Sequence, residues 1–407
     1  MFAVSRHHQV VAPVRRAGRL ALTMLAAAAL AACTSTFDST SQPIVPGPPL
    51  AQTEAPPGSL IGTGQTRVAL ILPLSAAGNA GVAALSMKNA AEMALAEFKN
   101  PDIQLLVKDD GGTPQGAQLG AQQVLGEGAQ IIGGPLFAQS VSAVGQIARP
   151  RGVPVIAFST DANVAARGVY LLSFLPESDV HRIVDFAASK GKRSFAALVP
   201  DNAYGAVVEA AFQQAVARRG GRVVALERYP ADSARAAEPV RRVAQAASRA
   251  DAIFLPDGAD AVPQVVQALT AAGVNTRRVQ LLGTGLWDDP RLFANPNLAG
   301  GWFAAPDSAG FRSFSQRYRA RFGNDPVRTA TLAYDAVALI AALVKTQGPR
   351  QGFSDQVLAN SAGFSGIDGI FRLRPDGTNE RGLAVLQINP PNAEVISPPP
   401  RSFAPGT

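Results

Sequence analysis

The chain of 407 residues is 47% hydrophobic, only 6% aromatic, and carries a formal charge of +7. Much of that charge is local: Arg6, Arg15, Arg16 and Arg19 precede the single cysteine, Cys33, with no acid among them. No run of basic residues interleaved with aromatics follows, so composition argues against nucleic-acid binding.

In chain order, the first feature is an apolar stretch, Leu20 to Leu30 broken only by Thr23, after Arg15, Arg16 and Arg19 and ending in Leu30-Ala31-Ala32-Cys33. A helix needs about 20 apolar residues to span a bilayer, and this stretch is shorter, so removal is expected rather than a permanent span. The tetrapeptide resembles the bacterial lipobox. That implies a signal peptide over 1–32, cleavage before Cys33, and lipid on its thiol as a membrane anchor. With Cys33 modified and His7 and His8 discarded, His181 is the one imidazole of the mature chain, which excludes thiol catalysis and Cys/His metal clusters. Residues 33–66 hold Pro43, Pro46, Pro48, Pro49, Pro56 and Pro57 among Ser, Thr, Gln and Gly, and are expected to form a disordered tether.

Strand and helix then alternate. The run Val68-Ala69-Leu70-Ile71-Leu72-Pro73-Leu74 is the signature of a parallel strand buried on both faces. A helix over 82–98, a strand over 103–107, the acidic turn Asp109-Asp110-Gly111-Gly112, and a helix from Thr113 complete the first repeats. The spacing predicts strands at 131–132, 153–158, 195–199, 223–229, 252–255, 279–282 and 302–304. It predicts helices at 140–149, 180–189, 204–219, 234–248 and 261–272 between them, and at 311–322 and 328–346 after them. Segments 370–373 and 383–388 read as a hairpin around Pro375-Asp376-Gly377. The pattern is α/β: two doubly wound parallel-sheet lobes within about 340 residues.

In open parallel sheets, ligands bind outside the carboxyl ends of the strands. Here those loops hold Ser75, Ser140, Ser159, Thr160, Asp201 to Gly205, Asp257, and Thr284 to Asp289. Ser140 and Thr160 suit an anion at a helix amino terminus, or equally plain capping. Gly133-Gly134-Pro135 lets backbone approach a ligand closely, and Trp287 could stack on a ring. Asp109-Asp110 reads as a turn rather than a paired-carboxylate site. No phosphate loop, nucleophile elbow or nucleophile–histidine pair appears, so neither an enzyme nor a cofactor is expected.

The motifs Leu72-Pro73-Leu74-Ser75, Asp109-Asp110-Gly111, Gly133-Gly134-Pro135-Leu136, Pro154-Val155-Ile156-Ala157-Phe158-Ser159-Thr160, Asp201-Asn202-Ala203-Tyr204-Gly205 and Ala333-Tyr334-Asp335-Ala336 together resemble the type I periplasmic solute-binding proteins of the leucine-binding family. That family includes the penicillin-binding protein activator lipoproteins. The resemblance implies two lobes over 67–397, followed by a tail over 398–407, with chain crossings near Phe174, Pro306 and Phe353. Lobe 1 would comprise about 67–173 and 307–352, and lobe 2 about 174–306 and 353–397. It implies a small polar ligand: Ser140, Ser159 and Thr160 toward a carboxylate, Tyr204 as a cover from the second lobe, Asp257 or Asp288 toward an amino group, and Ser75 and Trp287 at the pocket. The function implied is amino-acid capture in the periplasm for an ABC permease. The alternative is activation of a peptidoglycan synthase, which the long tether suits. Thr34, where Asp would retain a lipoprotein in the inner membrane, points to the outer membrane.

Overall fold

The computed structural model describes residues 59–230 and 233–403. The expected signal peptide, Cys33 and its expected lipid, and residues 33–58 of the expected tether therefore lie outside the described residues, whereas 59–66 belong to the fold, with Leu60–Ile61 forming a strand. Six strands form the first sheet: β1 (Leu60–Ile61), β2 (Thr66–Leu72), β3 (Ile103–Asp109), β4 (Ile131–Gly133), β5 (Val155–Ala157) and β6 (Val169–Leu171). Their order is β1-β3-β2-β4-β5-β6, all parallel except β1 against β3. The apolar run of β2 is continuous because both faces are covered. Val68, Leu70 and Leu72 enter one core and Ala69 and Ile71 the other. Helix α1 (Asn79–Glu97) covers the first face, while α2 (Pro114–Gly126) and α3 (Ala138–Ala148) cover the second. Thr113 caps α2, its Oγ1 accepting from the Gly116 N–H at 3.0 Å.

The chain leaves this lobe through Phe174 into α4 (Pro176–Ser189), then alternates β7 (Ser194–Pro200), α5 (Ala203–Arg218), β8 (Arg222–Tyr229), α6 (Ser233–Ala246), β9 (Ala252–Phe254), α7 (Val262–Ala271) and β10 (Gln280–Gly283). After the short helix α8 (Pro290–Phe293) and strand β11 (Trp302–Ala305), it returns at Pro306 into α9 (Ser308–Phe322) and α10 (Ala330–Gln347). Both helices pack on α1. A small antiparallel sheet follows, β12 (Phe364–Gly366), β13 (Gly369–Leu373) and β14 (Asn379–Arg381). The last strands, β15 (Ala384–Asn389) and β16 (Asn392–Ser397), join the second sheet, whose order is β16-β15-β11-β10-β9-β7-β8.

Two expectations are corrected here. The hairpin around Pro375-Asp376-Gly377 closes β13 on β14, not on the strand that begins at Ala384. The third crossing falls at Gly382-Leu383 rather than near Phe353. Phe353, Phe371 and Leu373 are buried in the first lobe's core, and Leu383 is the first side chain of this segment to enter the second. The apolar residues around 353–373 thus fill the space under α10, and only the terminal hairpin belongs to the second lobe.

Gly134, expected to give a ligand close access to the backbone, instead packs on β2. Its φ is +88°, and a Cβ there would lie 2.1 Å from the Ile71 carbonyl oxygen. Gly134→Ala should cost at least about 2 kcal/mol through this backbone clash and the left-handed φ. Urea denaturation of the variant beside the wild type checks it.

Candidate functional site

Loops after β5, β7 and β10 converge with two of the crossings on a cavity of about 560 Å³. From the first lobe and the segments feeding it come Thr160, Phe311 and Arg328. From the second come Tyr204, Asp179, Leu286 and Asp288. Phe174, Pro176 and Pro306 form the floor where the chain crosses.

Each wall has a local cause. Thr160 follows Ser159, whose Oγ accepts the Asp161 N–H at 3.1 Å, and this tight turn leaves Thr160 exposed. Tyr204 opens α5, where Asn202 caps the helix by accepting from Gly205, and its hydroxyl shares a 2.9 Å hydrogen bond with Thr284. Asp179 lies in the first turn of α4 and accepts the Gly285 N–H at 2.9 Å, tying that helix to the loop after β10. It lines the cavity, and burial pushes its carboxyl up to about 7 despite this bond and the attraction of Arg381. Burial likewise raises the Asp288 carboxyl, opposed by Arg328. Arg328 is already engaged, donating to both oxygens of Asp368 at 2.9 and 2.6 Å, with its guanidinium stacked on Phe174 and Phe311 at 4.8 and 4.6 Å.

The residues singled out from the sequence divide sharply. Thr160 and Tyr204 line the cavity, whereas Ser75, Ser140, Ser159, Asp257 and Trp287 do not. Ser75 is exposed, and its N–H donates to Asp109 at 3.2 Å. Ser140 is fully buried on α3 facing Asp110, so it cannot reach a ligand. Burial pushes Asp110 up to about 6, although Gly112 donates to it at 2.8 Å. This acidic pair ties the loops after β2 and β3 together. Asp257 accepts from the Tyr229 hydroxyl and from the Gly258 N–H, which occupies it within its own lobe. Trp287 is fully buried: its indole N–H donates to the Leu255 carbonyl at 3.1 Å and its ring packs beside Phe303 and over Gly283. It is a core residue of the second lobe, because a side chain one residue from the cleft on a short 3-10 turn points the opposite way.

Sequence reasoning missed Asp179, Phe311 and Arg328. The one available signal was Pro176 at the first turn of a helix directly after the crossing, which marks where a helix amino terminus meets the cleft.

Two outcomes follow from this geometry. Trp287→Ala should destabilise the second lobe by about 3–5 kcal/mol, visible as a lowered thermal midpoint. Asp335, buried on α10 and accepting the Ile367 N–H at 2.8 Å, is pushed by burial from its ordinary 3.8 up to about 7, against the pull of Arg381. A raised acid binds its proton more tightly when folded, so the stability it contributes is present at low pH and is lost as pH rises from about 4 to 7. Asp335→Asn keeps the acceptor for Ile367 and removes this slope. Relative to the variant, the wild type should lose on the order of 2 kcal/mol between about pH 4.5 and pH 8, read from urea midpoints.

The profile of the family described as periplasmic binding protein matches residues 65–394. No curated protein matches the chain. Among solved structures, a branched chain amino acid ABC transporter periplasmic ligand-binding protein from Burkholderia xenovorans LB400 superposes with a TM-score of 0.67 at 18% identity, covering 84% of this chain and 97% of that one. A substrate-binding protein from Desulfitobacterium hafniense in complex with Leu gives a TM-score of 0.59 at 16% identity, covering 81% and 99%. A solute binding protein from Rhodopseudomonas palustris BisB5 in complex with 3,4-dihydroxy benzoic acid gives a TM-score of 0.59 at 20% identity, covering 83% and 96%. At such identities the likeness is one of fold. Among the described residues, no helix is long and apolar enough to cross a membrane.

Proposed function

Because the chain belongs to the periplasmic binding protein family, we propose that it is a solute receptor whose cleft captures a small organic molecule and closes over it. Closure bends the chain at its three crossings, and the closed form is presented to an ABC importer. The observation that carries this reading is the cavity of about 560 Å³ whose polar groups come from both lobes, Thr160 on one side and Tyr204, Asp179 and Asp288 on the other. A solute touching both walls favours the closed state by the difference in its affinity for the two forms. The polar rim fixes orientation, while Leu286, Phe311, Pro306 and Pro326 suit an apolar body. An amino acid of the branched-chain type fits this volume and is the solute class we favour. We further propose that lipid on Cys33 anchors the protein on the periplasmic side, with Thr34 favouring the outer membrane.

Solute at a hundred times its dissociation constant should add about 2.7 kcal/mol of stability and raise the thermal midpoint. Thr160→Val should weaken binding about fivefold, the loss of one hydrogen bond, without lowering the midpoint of the free protein. A chain that no amino acid stabilises, but that retains a peptidoglycan synthase in a pull-down, would fit the activator alternative instead.

A further inference from the structure

The charge balance of the cleft decides more than the presence of a ligand. Two carboxylates line it, and among the described residues neither Asp179 nor Asp288 is in a salt bridge. Asp179 has its one bond from Gly285, and Asp288 accepts no hydrogen bond among the described residues. The basic residue in the lining, Arg328, is spent. Both of its terminal nitrogens are bound to Asp368, a carboxylate that also accepts from the Thr331 hydroxyl at 2.6 Å, and two aromatic rings cover its faces.

Side-chain donors for an anion are equally scarce. Pro176, Pro306 and Pro326 line the cavity and have no N–H to offer. The Gly285 N–H is given to Asp179, the Asp288 N–H to the Gly285 carbonyl, and the Tyr204 hydroxyl is engaged with Thr284. Among the lining side chains, Thr160 remains as a donor with no partner among the described residues, a single neutral hydroxyl. Ser140 and Ser159, which would complete a carboxylate clamp, are buried elsewhere. An anion closed into this space would lose its hydration beside two carboxyl groups, whereas a cation would supply the direct ion-pair partner that neither acid has among the described residues.

From this arrangement we infer that the cleft selects its solute by a positively charged amino group, held by Asp288 and Asp179, and that a carboxylate on the solute is dispensable. The ligand class is small organic amines with an apolar body, amino acids being one subset. The inference rests on the solute-receptor reading and narrows it. It sets this chain apart from its structural neighbour bound to 3,4-dihydroxy benzoic acid. Desolvation that raises both carboxyls agrees with it, since each acid gains from a cation that restores its charge.

Calorimetric titration of the full chain at pH 7.5 separates the possibilities with a matched set of probes: L-leucine, L-leucinol, isoamylamine, isovalerate and benzoate. Leucine, leucinol and isoamylamine should bind within about tenfold of one another, and the two acids at least about a hundredfold more weakly. Asp288→Asn should weaken all three amines by about tenfold or more while leaving the thermal midpoint of the free protein unchanged. Isovalerate or benzoate binding as tightly as isoamylamine overturns the inference and leaves solute capture standing. Amine affinity unaltered in Asp288→Asn overturns the assigned anchor. Silence from all five probes overturns the inference together with the reading beneath it.

Discussion

Two guanidinium groups clasp the ring of Phe174, Arg328 at 4.8 Å and Arg381 at 4.6 Å, and the relation between the lobes depends on that clasp. Phe174 belongs to the first crossing, Arg381 immediately precedes the third, and Arg328 stands before the long helix of the first lobe. Hydrogen bonds bind the same strands: the Asn379 amide donates to the carbonyls of Leu171 and Ser173 at 2.8 Å, and Arg381 Nε donates to Ser173 at 2.9 Å. A desolvated cation over a ring is worth about 2 kcal/mol. The buried charge of Arg381 is offset by the field of Asp368, Asp335 and Asp179, the first two from the first lobe's side and the third from the second. The first and third crossings are therefore held in register with each other.

That register also sets the chemistry of the cleft. Because Phe174 is fixed, α4 starts directly after it, and Asp179 in its first turn faces the loop after β10. Because Arg328 is committed to Asp368 and to two aromatic rings, the acids of the second lobe have no direct salt-bridge partner among the described residues. An arrangement of desolvated acids is costly to the free protein, and functional sites commonly keep such a cost because a ligand can relieve it. The unpaired acids thus connect the folding of the hinge to the charge of the molecule it would hold.

Much of the architecture was legible in the sequence, since parallel strands covered on both faces leave continuous apolar runs such as Val68 to Leu72. The crossings near Phe174 and Pro306 were implied by the family resemblance rather than by the residues themselves. The third was misplaced. Residues 353–373 carry the same mixture of Phe, Leu and Gly whichever core they enter, and only tertiary packing assigns them to the first. At the site, Tyr204 and Thr160 were readable from loop position. Ser140 and Trp287 were misread because side-chain direction within one turn of helix is invisible to spacing arguments: Ser140 in the first turn of α3 and Trp287 on the turn after β10 are both buried. Asp179 was overlooked because its role comes from a partner, Gly285, more than a hundred residues away.

The central claim is that the lobes change their relation when a solute occupies the cleft. Spin labels at Leu119→Cys on α2 and Val223→Cys on β8, both exposed positions on different lobes, would report it by pulsed dipolar spectroscopy in a Cys33→Ser background. The account predicts that the inter-label distance distribution moves by several ångströms and narrows when saturating L-leucine or isoamylamine is added. A distribution that stays the same with the cleft demonstrably occupied would contradict it.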